Sequence, residues 1–264
     1  MKPMNQDERL KGIIGYLKEN GKIRLEQVCE LYQVSRDSAR RDLVKLEEAR
    51  LIVRTRGGAI LSSPNLSTKP YEERLENKEI KQRIGKAAAA LIQDGETLFL
   101  NASTTVQAAV EACAAKDIYM TAVTNSIDAA AVLGKRPNGK VHLLGGQYNA
   151  WHRSVTGSQT IAMIREFRVQ TLLLGACAIT PDGLSSPQLE ETYVKREMIV
   201  KADRVIVLAD SGKYQQPFLH HVCGLDKIDV LITDAEPPAA VRELLDRYEV
   251  EIIIANEGEN DDGN

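Results

Sequence analysis

The chain has 264 residues, 43% of them hydrophobic, and a formal net charge of −3; this composition suits one large or two smaller globular domains and excludes a disordered or fibrous polymer. It contains no run of about 18 apolar residues and no apolar signal-peptide core near its start, which excludes a membrane span and leads to the expectation of a cytoplasmic protein. Its four cysteines, Cys29, Cys113, Cys177 and Cys223, show no C-x-x-C spacing, so they read as reduced thiols packed singly, not as a disulfide framework or a zinc knuckle.

The charge is unevenly distributed. Residues 1–61 hold 13 Lys and Arg against 9 Asp and Glu, an excess of +4, which leaves −7 on the remainder. A basic end on an acidic body suits a protein that meets phosphates at one end only.

Leu10, Ile13, Ile14 and Leu17 recur at helical spacing and predict a first helix that stops at Asn20-Gly21. Leu25, Val28 and Leu31 predict the inner face of a second helix, after which Ser35 is placed to cap a third. Ala39, Leu43 and Leu46 form the buried stripe of that third helix, which turns Arg36, Ser38, Arg40 and Arg41 outward. Two short helices joined by a tight turn, with Ser and Arg at the start of the second, are built to enter a major groove, where Arg bridges guanine and Ser or Arg holds phosphates. Two short strands around Gly57-Gly58 then predict a wing, with Arg54 and Arg56 reaching the DNA backbone or minor groove. The expected DNA contacts are therefore Ser35, Arg36, Ser38, Arg40, Arg41, Arg54 and Arg56, set against the alternative that these arginines are only a solvated helix face.

Residues 62–70 are rich in Ser and Pro and lack periodicity. They divide a winged helix-turn-helix over 1–61 from a larger domain over 71–264, whose tail from about 256 is expected to be disordered. Helical stripes in that domain alternate with apolar runs at 97–100, 118–123, 140–144, 171–174, 204–209, 230–233 and 251–254. Runs this apolar are buried on both faces, which predicts a doubly wound, mostly parallel α/β sheet.

Ligands of such sheets bind beyond the C-terminal ends of the strands. Asn101, Ser103, Thr104 and Thr105 follow the first strand and open a helix, where free backbone N–H groups and the helix dipole favour an anion. Thr124, Asn125 and Ser126 follow the second strand, Gly145 and Gly146 the third, and Asp210 with Lys213 the fifth. Each taken singly has a bland reading as a cap, a turn or a solvated lysine. Their shared placement points to a small phosphorylated metabolite, and no cofactor is called for.

At these residues the sequence resembles the DeoR family of bacterial regulators, over about 9–254. The resemblance rests on Val34-Ser35 with Arg40-Arg41-Asp42-Leu43, Arg56-Gly57-Gly58-Ala59, Tyr71-Glu72-Glu73-Arg74, Thr124-Asn125-Ser126, Gly145-Gly146, Gly157, and Asp210 with Lys213. It implies a sensor domain like ribose-5-phosphate isomerase that binds a sugar phosphate or a related metabolite and thereby weakens operator binding. It also implies repression of a carbohydrate-utilisation operon by a homo-oligomer, a dimer or a tetramer. The family's phosphate loop reads Asp, a small residue, then Gly-Thr-Thr, whereas Asn101 and Ser103 stand here in place of Asp and Gly. That exchange removes a carboxylate partner for sugar hydroxyls and puts a residue without glycine's freedom at positive φ into the loop.

A sugar-phosphate isomerase is the rival reading. Isomerisation needs a carboxylate to move a proton between adjacent carbons; the resembling enzymes carry an Asp-Gly-Ala-Asp run at a strand end, and the stretch that the resemblance sets against it, Leu174-Gly175-Ala176-Cys177, leaves both acidic positions unfilled. Glu197 and Asp182 are the remaining acidic candidates, while Glu191 and Lys195, at i and i+4, read as a helix-surface pair. His220, His221 and Cys223 stand close enough to suggest a metal, yet they lack a fourth ligand and read as a polar surface loop.

Overall fold

A computed structural model describes residues 6–20, 22–48, 51–55, 57–61, 71, 73–136 and 139–255. The chain divides into two compact units, Met1–Ser67 and Thr68–Asn264. Arg56, the linker expected over 62–70 and the tail from about 256 lie outside the described residues.

The smaller unit runs α1 (Gln6–Asn20), β1 (Lys22–Arg24), α2 (Leu25–Tyr32), α3 (Arg36–Glu48), β2 (Ile52–Thr55) and β3 (Gly58–Leu61). Ile13, Leu17, Val28, Ala39, Leu43 and Leu46 meet in its core, so the helical stripes of α1 and α3 fall inward as their spacing predicts. Strand β3 lies between β1 and β2, antiparallel to both. β1 was not foreseen, because Lys22-Ile23-Arg24 places only one side chain inside. Leu31 corrects a second expectation: it is exposed, and α2 buries only Leu25 and Val28. Gln33 ends α2 in the left-handed conformation, its N–H donating to the Cys29 carbonyl. Ser35 Oγ then accepts the Ser38 amide at 3.2 Å and opens α3. Asp42 is fully buried and receives Arg9 Nε at 2.9 Å and Gln6 Nε2 at 2.8 Å, tying α3 to α1. A carboxylate tolerates such burial only when it is paired and hydrogen-bonded.

The larger unit opens with a 3₁₀ turn at Glu73–Leu75. There follow α4 (Lys78–Ala90), β4 (Glu96–Leu100), α5 (Thr104–Ala115), β5 (Met120–Thr124), α6 (Ile127–Leu133), β6 (Lys140–Leu143), β7 (Gln147–Asn149), β8 (Ser154–Thr156), α7 (Ser158–Arg165) and β9 (Val169–Gly175). The chain continues through β10 (Ala178–Thr180), β11 (Gly183–Ser186), α8 (Leu189–Val200), β12 (Ala202–Leu208), β13 (His220–Cys223), β14 (Val230–Thr233), α9 (Ala239–Arg247) and β15 (Glu251–Ile254).

One sheet has the order β15-β14-β12-β9-β4-β5-β6, and each neighbouring pair in it is parallel. Its strands correspond to the seven apolar runs of the sequence. Phe99, Leu172 and Val207 pack on one face and Leu98, Leu173 and Ile206 on the other, which is why those runs show no polar alternation. The chain moves outward in one direction through β4, β5 and β6 and in the other through β9, β12, β14 and β15. The order therefore reverses between β4 and β9, the place where a crevice opens in sheets of this kind. The β7–β8 hairpin and the antiparallel sheet β10-β11-β13 were not expected, since their strands of three or four residues are too short to show a period.

Candidate nucleic-acid interface and anion cleft

In the smaller unit, Ser35, Arg36, Arg40 and Arg41 are exposed and Ser38 is partly exposed on the outer face of α3, opposite Ala39, Leu43 and Leu46. Arg36 pairs with Glu26 of α2, both side chains being largely solvated. That carboxyl is held below its ordinary range by a backbone hydrogen bond first and by Arg36 second. Exposed pairs of this kind are weak and exchange readily for a phosphate. Ser35 Oγ and Ser38 Oγ lie 3.1 Å apart at the helix start. Among the described residues Arg40 and Arg41 make no ion pair, so their guanidinium groups are available to a duplex. Arg54 stands exposed on β2, with Glu47 Oε2 3.7 Å from its guanidinium. Arg56, the other wing arginine, lies outside the described residues.

In the larger unit the expected anion-binding residues divide into two groups. Asn101, Thr124, Asn125 and Ser126 are buried and committed to other partners. Asn101 Oδ1 accepts the Gly175 amide at 3.0 Å. Asn125 Oδ1 accepts the Ala102 amide at 2.9 Å, and its Nδ2 donates to the Val155 carbonyl at 3.1 Å. Thr124 Oγ1 donates to the Leu100 carbonyl at 2.7 Å, and Ser126 Oγ caps α6 through the Ala129 amide. These hydrogen bonds brace the loops after β4 and β5 at the four positions where the sequence leads to the expectation of ligand contacts. Gly145 and Gly146 behave similarly, because the Gly145 carbonyl accepts Thr160 Oγ1 at 2.8 Å and the turn is closed against α7.

The second group lies beside the strand-order reversal. Ser103 caps α5 by accepting the Thr105 amide at 3.2 Å, with φ −157 and ψ 145. The loop therefore runs in extended backbone at this point, and serine fits without needing glycine's freedom. Thr104 and Thr105 form the first turn of α5, Thr104 partly exposed and Thr105 buried. Parallel pairing puts the end of β12 on the same sheet edge, with Leu208 beside Gly175. There Asp210 Oδ1 accepts the Gly212 amide at 3.1 Å and Asp210 Oδ2 lies 3.9 Å from Lys213 Nζ. Gln215 Nε2 donates to the Cys177 carbonyl at 3.0 Å and joins that loop to the end of β9.

Two buried lysines were missed. Lys195 Nζ donates to the Gly175 carbonyl at 3.0 Å and lies 3.6 Å from Cys177 Sγ. Its expected helix partner, Glu191, faces His152 Nδ1 at 3.8 Å and Ser154 Oγ at 3.4 Å. The reading of Glu191 and Lys195 as a surface pair is thus corrected: both point into the unit. Lys81, on α4, is also buried, and its ammonium donates to the carbonyls of Arg74 and Glu76. Helical period carried the signal in both cases, since Lys81 lies three residues before buried Ile84 and Lys195 three before buried Met198.

Leu174 is buried within β9 and Cys177 follows its end, so neither position at that strand end offers an acid. Glu197 is turned toward Arg165 at 3.2 Å, and the Asp182 carbonyl lies 3.1 Å from His221 Nε2. His220, His221 and Cys223 lie on strand β13 rather than in a loop, with Cys223 buried and His221 exposed. Among the described residues no group of three His, Cys, Asp or Glu side chains converges as a metal site.

A three-helix winged unit with an outward row of arginines, carried on one chain with a doubly wound α/β unit, defines a DNA-binding regulator with a sensor domain. Residues 9–65 match the DeoR-like helix-turn-helix domain and residues 76–235 the DeoR C terminal sensor domain. The HTH-type transcriptional repressor GlcR of Bacillus subtilis (strain 168) is 43% identical over 260 residues, which cover 98% of this chain and 100% of that protein. The Glycerol-3-phosphate regulon repressor of Escherichia coli (strain K12) is 30% identical over 252 residues, 95% of this chain and 100% of its own. The solved structure of ribose 5-phosphate isomerase A from Methanocaldococcus jannaschii aligns with a TM-score of 0.39 at 16% identity, over 53% of this chain and 56% of that one. The chain belongs to the DeoR family and is a transcriptional regulator, not an enzyme. Among the described residues no helix is long and apolar enough to cross a membrane.

Proposed function

We propose that this regulator represses a carbohydrate-utilisation operon and leaves its operator when a sugar phosphate, or a related phosphorylated metabolite, occupies the cleft beside β4 and β9. Ser103, Thr104, Thr105 and Lys213 meet the anion; Asn101, Thr124, Asn125, Ser126, Gly145, Gly146 and Asp210 hold the loops that shape its site. One observation carries this reading: a hydroxyl-rich α5 N-terminus stands at the strand-order reversal, on the same sheet edge as Lys213. The names of the relatives, one a repressor of a glycerol-3-phosphate regulon, lend support.

On the DNA side, Arg40 and Arg41 read base edges, while Ser35, Arg36, Ser38, Arg54 and Arg56 hold phosphates. Two copies of the chain set their reading helices in successive major grooves, about ten base pairs apart. The protein works in the cytoplasm, where operators and phosphorylated metabolites meet.

The test uses operator duplex selected by the full-length protein from a random library. Glucose 6-phosphate, glycerol 3-phosphate, inorganic phosphate and unphosphorylated glucose are then compared in thermal melting and in operator-binding anisotropy. A phosphate ester should raise the melting temperature and weaken operator binding at least tenfold, with glucose inert. If no phosphate compound changes either quantity, the sensor reading fails.

A further inference from the structure

The turn at Glu73–Leu75 is the first described element after the DNA-binding unit in the chain, and it is held in two ways. On one side, the Tyr71 amide donates to the Trp151 carbonyl at 3.0 Å and Arg74 reaches the His152 carbonyl at 3.4 Å. The Tyr71 ring has the Arg74 and Arg153 guanidinium carbons 5.7 and 5.3 Å from its centroid. On the other side, the buried Lys81 ammonium holds the carbonyls of Arg74 and Glu76, the latter at 2.9 Å.

Lys81 also interacts electrostatically with Asp210 and Lys213, in the loop of the proposed anion site. Helices α4 and α5 both run against the direction of β4 and are therefore parallel, and they touch where Gly85 meets Ala108: a Cβ on Gly85 would lie 2.6 Å from the Ala108 carbonyl carbon. Lys81 lies one helical turn before Gly85, and Thr104 one turn before Ala108, so both occupy the same end of the helix pair. The ammonium is pushed toward its neutral form, first by burial, and the Asp210 carboxylate opposes this while Lys213 adds to it. A buried ammonium whose partners are neutral carbonyls gains far more from an anion.

We propose that Lys81 couples the two functions: an anion held by Ser103–Thr105 and Lys213 draws its ammonium off the carbonyls of Arg74 and Glu76 and so loosens the turn that follows the DNA-binding unit. This inference rests on the sensor reading above. The carbonyls of Arg74 and Glu76 then lose that donor, and the turn at Glu73–Leu75 gains conformational freedom. Lys81 acts as a positioning residue, because it works on DNA binding through the turn and not by touching DNA.

Hydrogen–deuterium exchange of the amides at 73–76, with and without the phosphate ester active in melting, is measured on the full-length protein. In parallel, the ratio of operator Kd with and without that ester is measured for the wild type, Lys81→Gln and Lys81→Arg, each first checked by circular dichroism. The ester should speed wild-type exchange at 73–76 at least threefold. The operator ratio should fall from at least tenfold in the wild type to under twofold in Lys81→Gln and recover in Lys81→Arg. Unchanged or slower wild-type exchange, or a Lys81→Gln ratio equal to wild type, overturns the coupling while leaving the sensor reading intact. If no ester binds the wild type, the sensor reading fails first and the coupling falls with it. Should Lys81→Gln not fold, the wild-type exchange result decides alone.

Discussion

Ser103 occupies the space that a side chain on Gly175 would need: a Cβ built there falls 2.1 Å from Ser103 Oγ and 2.3 Å from Ser103 Cβ. The two residues lie at the ends of adjacent strands β4 and β9, where the sheet order reverses, and Asn101 Oδ1 joins the same strand ends through the Gly175 amide. The serine that caps α5 is thus housed by a glycine at the end of the neighbouring strand.

That relationship gives a double-mutant prediction. Gly175→Ala should destabilise the protein by about 1–3 kcal/mol through overpacking. Adding Ser103→Gly should restore at least about 1 kcal/mol of the loss, since the clash partner is then gone. Urea unfolding of the four proteins of the cycle provides the check, and strictly additive losses would show that the two side chains do not compete for one space.

At the DNA face, Arg41→Ala should weaken operator binding by about 1–3 kcal/mol if Arg41 reads a base. The melting temperature should not change, because the side chain is exposed and unpaired among the described residues. Anisotropy titrations at several salt concentrations separate base reading from phosphate contact, and normal operator binding by Arg41→Ala at moderate salt would move the reading surface elsewhere.

Asp42 contributes to stability instead. Asp42→Ala leaves Arg9 without its buried carboxylate and should cost about 3 kcal/mol in the smaller unit. Loss of α-helical circular dichroism at lower urea than in the wild type would register it.

The sensor cleft is tested through Lys213→Ala. Removing this cation beside Asp210 should reduce the phosphate-ester effect on operator affinity by about tenfold, of the order of 1.4 kcal/mol. An undiminished response would place the anion away from this loop.

Two thiols give a pH dependence. Burial pushes Cys113 up to about 11 and Cys223 up to about 12, from an ordinary value of 9.0. Both raised values lie on the folded side, so the folded protein retains protons that the unfolded chain releases above pH 9. Their contribution is complete below about pH 9 and is lost as pH rises toward 11–12. Unfolding free energy should therefore decline over that window, and Cys113→Ala with Cys223→Ala should flatten the decline.

Several features were legible in the residues themselves. The stripes of α1 and α3, the Ser35 cap and the seven apolar runs declare their elements because local periodicity and capping chemistry are properties of short segments. The outward arginines of α3 followed from the same stripe, since a helix that buries Ala39, Leu43 and Leu46 must expose what lies opposite. The DeoR motifs added the pairing of a DNA reader with a metabolite sensor.

Tertiary structure decided which polar groups face a ligand and which are consumed by the fold. Asn125 and Thr124 look like binding residues in sequence, yet their hydrogen bonds go to backbone atoms of other strands and loops. Lys81 and Lys195 look like helix-surface cations, yet they are buried against carbonyls. Periodicity fixes the face of a helix on which a side chain stands, but the atoms opposite that face arrive from other segments, 20 residues away for Lys195 and from the preceding turn for Lys81, and only the packed chain brings them within hydrogen-bonding distance.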